Sequence, residues 1–172
     1  MLAVTLSLQA VVINDTTLGG PTWNRPLAGV PPVGLSGVGT AVPYDVTAFT
    51  VDANGSYTFL STGTTPVNWD NYAILYQTNF NAASPLTNVL VSNDDNPGIG
   101  LAGFTISLTS GPNYFFVESG FGNADAGAYS LSITGPGNIT LGSASEVPEP
   151  ATAGLFALGG AALLLARKLR RQ

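Results

Sequence analysis

The stretch from Tyr129 to Thr134, Tyr-Ser-Leu-Ser-Ile-Thr, alternates large apolar side chains with small hydroxyl side chains. A period of two residues is typical of a β-strand that has one buried face. The stretch from Phe104 to Thr109, Phe-Thr-Ile-Ser-Leu-Thr, repeats the same alternation. Both segments therefore predict strands that pack one face against a core.

Shorter apolar segments with the same character lie between Gly-, Pro- and Asn-rich clusters. They cover Phe49–Val51, Tyr57–Leu60, Tyr72–Tyr76, Val89–Val91 and Tyr114–Val117. Seven or more short strands at this spacing predict an all-β antiparallel sandwich, which we assign to residues 11–142. No long amphipathic helices alternate with the strands, which argues against a parallel α/β sheet.

Two local signals refine this prediction. Asn54-Gly55 stands between two apolar segments, and this dipeptide favours a β-hairpin turn. Residues 14–47 contain Gly19-Gly20-Pro21 and Pro31-Pro32. Such breakers leave room only for short strands and ordered loops.

The composition and charge of the chain restrict its partners. Of 172 residues only 9% are charged while 45% are hydrophobic, which favours a packed structure over disorder. All ten acidic residues lie between Asp15 and Glu149, and Arg25 is the only basic residue before position 167. Residues 1–150, which we call the body, are therefore acidic. An acidic body repels phosphate backbones, so the sequence argues against nucleic-acid binding.

The chain contains no cysteine and no histidine. Disulfides and Cys/His zinc sites are therefore impossible. The only lysine is Lys168, so the body cannot build a Ser-His-Asp or Ser-Lys arrangement. The sequence predicts a protein that is not an enzyme.

An uncharged apolar segment occupies residues 151–166. As a helix it would be ~24 Å long, slightly short of a ~30 Å hydrocarbon core. The sequence predicts a single C-terminal transmembrane helix here, against the alternative of a buried core helix. The basic residues of the 167–172 tail would stay on the cytoplasmic side and leave the acidic body outside; they are Arg167, Lys168, Arg170 and Arg171.

A short Pro-rich motif precedes this apolar segment, within a linker at 143–150. Its residues are Val147, Pro148, Glu149 and Pro150. Each proline favours an extended conformation of the residue before it. An extended segment suits recognition by a protease, and a simple spacer would explain the motif equally well. The order of motif, apolar segment and basic end closely resembles the PEP-CTERM sorting domain over residues 146–172. That resemblance implies processing by an exosortase, removal of the tail and delivery outside the cell, often in bacteria that make exopolysaccharide and biofilm.

Residues 1–10 support two interpretations. The segment looks like the end of a secretory signal peptide, with Ala10 at a cleavage position, but it lacks a basic start. The alternation of Val4, Leu6 and Leu8 instead supports a first strand. The sequence leaves both interpretations open.

A second resemblance covers residues 46–135. It is carried by four segments, Trp69–Tyr76, Asn93–Asp95, Ser110–Val117 and Gly127–Ile133. Together they look like a β-sandwich of the pre-peptidase C-terminal type. This resemblance implies a jelly-roll-like, secreted binding or accessory domain that sometimes binds calcium.

Few residues of the body are candidates for metal binding, catalysis or ligand binding. Asp94 and Asp95 place oxygen ligands on a loop, which suits calcium, but an ordinary solvated turn explains them as well. A calcium site would need Asp70, Asp125 or backbone carbonyls to converge on them. Paired carboxylates including Glu118 would serve a hydrolase. Trp23, Trp69 and the tyrosines fit a core or a sugar-stacking surface.

These observations favour a noncatalytic cell-surface or matrix protein that is held in the membrane and then processed. Its expected partners are the membrane, an exosortase-type enzyme and extracellular polysaccharide. The alternative is a calcium-dependent carbohydrate-binding module.

Overall fold

The computed structural model describes residues 8–142. Within that range the chain forms ten β-strands and no α-helix. The strands are β1 Gln9–Thr16, β2 Thr22–Trp23, β3 Val42–Val51, β4 Gly55–Thr65, β5 Asn71–Gln77, β6 Val89–Asn93, β7 Leu101–Leu108, β8 Tyr114–Gly120, β9 Ala128–Gly135 and β10 Ile139–Leu141.

The strands form two sheets that pack face to face. One sheet has the order β1-β9-β4-β7, and the other has the order β10-β3-β8-β5-β6, with β2 paired to the start of β3. A single buried cluster takes Phe59 and Leu131 from the first sheet and Leu75 and Phe116 from the second. Because both sheets are antiparallel and share this core, the predicted all-β antiparallel sandwich is confirmed.

The alternation read in the sequence corresponds to the two faces of β9. Tyr129, Leu131 and Ile133 are all buried, whereas the residues between them are half-buried. The other six predicted segments also lie within strands. A period of two therefore located these strands correctly, because the pleat sends successive side chains to opposite faces.

Strand β5 is buried on both faces. Ala73 and Leu75 face the core between the sheets, while Tyr72, Ile74 and Tyr76 belong to a second cluster on the outer face. Phe80 from the connection between β5 and β6 and Trp23 from β2 cover that outer face. Phe80 packs against Tyr76 with ring centroids 5.0 Å apart, and Trp23 packs against Phe80 with ring centroids 5.4 Å apart. Because both faces of β5 are buried, its sequence is a continuous apolar run and does not alternate with polar residues.

The hairpin predicted at Asn54-Gly55 is wrong. Strand β3 pairs with β2, β8 and β10, and β4 pairs with β7 and β9, so the turn crosses from one sheet to the other. The Asn54 side chain accepts a hydrogen bond from the Ser110 amide at 2.8 Å. An Asn-Gly turn supplies a tight local bend, but long-range pairing decides which sheet each arm joins.

Several predicted segments lie outside the described residues. These are residues 1–7 of the N-terminal segment, residues 143–150, the apolar segment 151–166 and the basic tail 167–172. The first described strand begins at Gln9 and pairs with β9. Over residues 8–142, the structure has no helix with the length and apolar character needed to cross a membrane.

Four connections between strands meet at one end of the sandwich. The antiparallel register causes this, because it places the start of one strand beside the end of its neighbour. They are the segments between β2 and β3, β4 and β5, β6 and β7, and β8 and β9. We call this end the acidic end, because it carries Asp70, Asp94, Asp95 and Asp125.

Candidate functional site

Three aspartates converge at the acidic end. Asp70 immediately precedes β5, and Asp94 and Asp95 immediately follow β6. The two strands are antiparallel neighbours with Ala73 opposite Asn93, which brings the start of one beside the end of the other. One carboxylate oxygen from each aspartate lies within 4.8 Å of the others. The convergence that the sequence required of Asp70 is therefore observed, whereas Asp125 is not in this group.

The carboxylates of this cluster are poorly satisfied by the protein. Asp70 Oδ1 and Asp94 Oδ1 are both buried from solvent and have no hydrogen-bond partner. Burial, followed by the nearby charges of Asp70 and Asp95, raises the pKa of Asp94 to about 6. Burial and then the charge of Asp125 also raise the pKa of Asp70. Arg25 lowers the pKa of Asp70 and of Asp94, but it offsets only part of the effect of burial and of the neighbouring carboxylates.

The donor set suits a hard divalent cation. Calcium takes six to eight oxygen ligands at about 2.3–2.6 Å, and ligands on opposite sides of the ion are then up to roughly 5 Å apart. The three aspartates meet that spacing. Water and main-chain carbonyls would have to complete the shell. Asp125 has another role, because its Oδ2 accepts a hydrogen bond from the Gly122 amide at 2.8 Å.

A pocket of about 210 Å³ lies beside Asp94, between the 24–41 segment and the outer face of the six-stranded sheet. Arg25, Tyr72 and Phe121 contribute to its lining. Sequence reasoning missed Arg25 and Phe121 as site residues, and it considered Tyr72 only among the tyrosines that fit a core or a sugar-stacking surface. The isolation of Arg25 as the only cation of the body was the available signal.

Arg25 fixes the 24–41 segment to the end of β8. Its Nε donates to the main-chain oxygen of Gly120 at 3.0 Å, and its Nη2 donates to that of Phe121 at 2.7 Å. The guanidinium carbon lies 3.8 Å from the centroid of the Tyr72 ring. Because Arg25 is buried, these contacts hold one wall of the pocket in place.

Glu118 lies away from this surface, between the two sheets. Its side chain is 0% exposed, and Oε1 accepts hydrogen bonds from Ser61 Oγ at 2.7 Å and Asn71 Nδ2 at 3.0 Å. Oε2 has no partner. Burial raises the pKa of Glu118 to about 8. Solvent does not reach this carboxyl in the closed sandwich.

The large aromatic residues are mainly part of the core. Trp23 and Trp69 are buried, and their ring N–H groups donate to Ser119 Oγ and to the Ala128 carbonyl. The tyrosines of the described chain are buried as well. Core packing is thus the observed role. Phe121 is the exposed aromatic residue among residues 8–142, with 36% of its surface accessible.

The chain is similar to several solved structures, among them the following three. The chain is similar to the pre-peptidase C-terminal domain of a Bacillus anthracis collagenase, with 15% identity over 72% of this chain and 87% of that chain and a TM-score of 0.44. A family 35 carbohydrate-binding module from Cellvibrio japonicus has 13% identity over 78% of this chain and 100% of that chain, with a TM-score of 0.40. An adhesin domain of Lys-gingipain from Porphyromonas gingivalis W83 has 15% identity over 77% and 98%, with a TM-score of 0.31.

Sequence comparison is informative at the C-terminus. No curated protein matches the chain. Residues 146–171 match the family model described as the PEP-CTERM protein-sorting motif. This match covers the Val147–Pro150 motif, the apolar segment and the basic residues that sequence analysis had singled out. The chain thus joins a two-sheet β-sandwich to a C-terminal PEP-CTERM protein-sorting motif.

Proposed function

We propose that this chain is a noncatalytic protein of the cell surface or extracellular matrix, exported and sorted through its C-terminal motif. The match at residues 146–171 carries this proposal. In it, an exosortase-type enzyme recognises Pro148, Glu149 and Pro150, and the sandwich is released to the outside. The chain is then a substrate of processing.

The charge distribution supports the proposed orientation. Segment 151–166 is uncharged, and four basic residues follow it. Lys and Arg next to a span stay on the cytoplasmic side, and each adds about 1 kcal/mol of attraction to an anionic leaflet. Arg25 is the single basic residue before position 167. The sandwich then lies on the opposite side of the membrane from the basic residues.

Three features support a noncatalytic role. The chain has no histidine or cysteine, so the usual nucleophile–base pairs are absent. Glu118 is enclosed between the sheets. Asp70, Asp94 and Asp95, of which only Asp95 is exposed, stand close together beside a small pocket, which fits binding better than acid–base chemistry.

In cells that carry an exosortase, we expect the mature protein to lack Arg167–Arg171. Replacing Pro148, Glu149 and Pro150 together by alanine should leave the full-length chain in the membrane fraction, because the recognition motif is lost. Intact mass spectrometry of the fractionated protein measures the C-terminus. Ser145→Ala, just before the motif, is the matched control and should be processed normally. Wild-type protein with an intact C-terminus in the soluble cytosolic fraction would contradict the proposal.

We further propose, as a second candidate function, a calcium-dependent carbohydrate-binding module. The specific observation in its favour is the convergence of Asp70, Asp94 and Asp95 together with two buried oxygens that lack partners. A bound divalent cation would neutralise the mutual repulsion of these carboxylates and satisfy the unpaired oxygens.

Calcium is expected to stabilise the protein. With a Kd of about 0.1 mM, within the range of extracellular calcium modules, 10 mM calcium adds about 2.7 kcal/mol. That corresponds to an increase in Tm of roughly 5–10 °C. Scanning calorimetry of the full-length protein, in calcium and in chelator, measures the shift.

Asp94→Asn should gain stability from the substitution itself and not from calcium. Without calcium it should be more stable than wild type at pH 7, because a partly buried, repelled charge is removed. It should also lose the calcium response. Asp15→Asn, at the end of β1, is the control and should keep the wild-type response. An unchanged Tm for the wild type across a calcium titration would remove the calcium-dependent candidate.

A further inference from the structure

The pocket at the acidic end has the dimensions of a site for one small ring. Its volume of about 210 Å³ is below the roughly 300–1,000 Å³ of sites for drug-sized ligands. The floor is Tyr72, one wall is the 24–41 segment with Leu27 and Val38, and Asp94 and Phe121 complete the lining. A single ring fits this space better than an extended chain.

The pocket is already formed without a ligand. Arg25 binds the main chain at both sides of the pocket, since Nη1 donates to Pro26 at 3.0 Å and Nε donates to Gly120 at 3.0 Å. Gly39 allows this packing, because a Cβ at that position would lie 2.7 Å from Arg25 Nε and 2.9 Å from the Phe121 carbonyl oxygen. A ligand would therefore bind without first ordering the wall.

Two polar side chains that line the pocket lack partners. Tyr72 is 1% exposed, and its hydroxyl makes no hydrogen bond of normal geometry, although Ser92 and Arg25 are near it. Asp94 Oδ1 is also buried and unpaired. A buried polar atom without a partner carries a free-energy cost in the folded protein. A ligand with hydroxyl groups would recover that cost, because it can donate to Asp94 and exchange a hydrogen bond with Tyr72.

An exposed aromatic ring stands beside these polar groups. Phe121 is 36% exposed, and the centroid of its ring lies 5.1 Å from the guanidinium carbon of Arg25. A ring with an apolar C–H face and polar edges would pack on Phe121 while its hydroxyls reach the floor. Pyranose rings have that shape and chemistry.

The local charge selects among such rings. Asp70, Asp95 and Asp125 surround Asp94 closely enough to act on its pKa together with Arg25, which opposes them. The Arg25 guanidinium donates to three main-chain oxygens. The net field is negative, so a carboxylate or sulfate on the ligand would be repelled.

We propose that this pocket binds one neutral or amino-sugar residue of a glycan, with Phe121 as the stacking platform and Tyr72 and Asp94 as hydrogen-bonding groups. The site goes beyond the sorting function. It shares Asp94 with the candidate calcium site but does not require the ion.

A charge-matched series of sugars tests the proposal. Glucose, glucosamine and glucuronic acid, with the corresponding galacto series, are titrated into the full-length protein in a detergent without a sugar headgroup. Saturation-transfer NMR detects the contact, and calorimetry measures affinity, each in calcium and in chelator. We expect saturable binding of the neutral or amino sugar in at least one series and at least tenfold weaker binding of its uronic acid.

Two variants separate the site from general stability. Tyr72→Phe keeps the ring under Arg25 and removes only a buried, unpaired hydroxyl, so Tm should stay the same or rise while affinity falls about fivefold. Phe121→Ala should reduce affinity at least tenfold, and Val12→Ala, an exposed apolar residue on β1, should bind as wild type does.

The outcomes distinguish this proposal from the other two. Binding in chelator that depends on Phe121 supports the pocket whether or not the C-terminus is processed. Absence of saturable binding in both series, preference for the uronic acid, or wild-type affinity in both Tyr72→Phe and Phe121→Ala would overturn it. A Tm shift with calcium, combined with no saturable sugar binding, would support the calcium site and reject the sugar pocket.

Discussion

Glu118→Gln is expected to stabilise the sandwich by roughly 2–4 kcal/mol at pH 8 and by little at pH 4.5. The wild-type carboxyl is fully buried, and no basic residue of the described chain pairs with it: its partners are Ser61 and Asn71. Burial raises its pKa from 4.5 to about 8. Each pKa unit represents about 1.4 kcal/mol, and an unsatisfied glutamine N–H offsets part of the gain.

The sign follows from proton uptake. Between pH 4.5 and about 8 the folded protein keeps the Glu118 proton while the unfolded chain releases it, so the free energy of unfolding falls as pH rises. This contribution is fully present below pH 4.5 and lost as pH passes about 8. Asp45 on β3, whose Oδ2 accepts a hydrogen bond from Tyr129 on β9, also has a raised pKa. Asp45 remains in both proteins, and its charge also contributes to the raised pKa of Glu118. The difference between the two proteins therefore reports Glu118 together with its coupling to Asp45.

Chemical unfolding at pH 5 and pH 8, followed by the fluorescence of Trp23 and Trp69, measures this effect. Wild type should be more stable at pH 5, and the variant should show a much smaller difference. Asp15→Asn removes an exposed acid and serves as control. It should retain most of the wild-type pH dependence, because Asp15 contributes only through the pKa of Asp45. A constant difference between wild type and Glu118→Gln at the two pH values would show that Glu118 does not titrate in this range.

Arg25→Met is expected to destabilise the protein by about 3 kcal/mol. The change removes hydrogen bonds to the main-chain oxygens of Pro26, Gly120 and Phe121 and the stacking on Tyr72. Each carbonyl oxygen that loses its partner costs about 1–3 kcal/mol when it is fully buried. The partly exposed Phe121 oxygen keeps some hydration and lowers that figure.

Arg25→Lys keeps the charge but cannot reach three carbonyls in one plane, so it should lose most of the same stability. Hydrogen exchange should show faster opening of residues 24–41 in both variants, with β9 protected until global unfolding. Wild-type exchange in the 24–41 segment of Arg25→Met would show that other contacts hold this wall.

Local patterns were sufficient for seven of the ten strands of the described chain, β3 to β9, and insufficient for their pairing. The alternation around Leu131 and Phe104 marked strands correctly, because the pleat is a property of neighbouring residues. Asn54-Gly55 marked a turn but not the sheet of each arm, since β3 and β4 pair with strands distant in sequence. The burial of Glu118 was equally invisible, because nothing adjacent in the sequence separates it from a surface acid.

The sequence by itself determined the strand segments of the body and the C-terminal sorting motif, since alternation, charge and a contiguous motif are properties of neighbouring residues. Only the tertiary structure decided that Asp70 meets Asp94 and Asp95, because that contact depends on β5 and β6 being antiparallel neighbours. It also decided the pocket, in which Arg25 joins a loop to strands nearly one hundred residues away. Such contacts follow from sheet order, which no local pattern encodes.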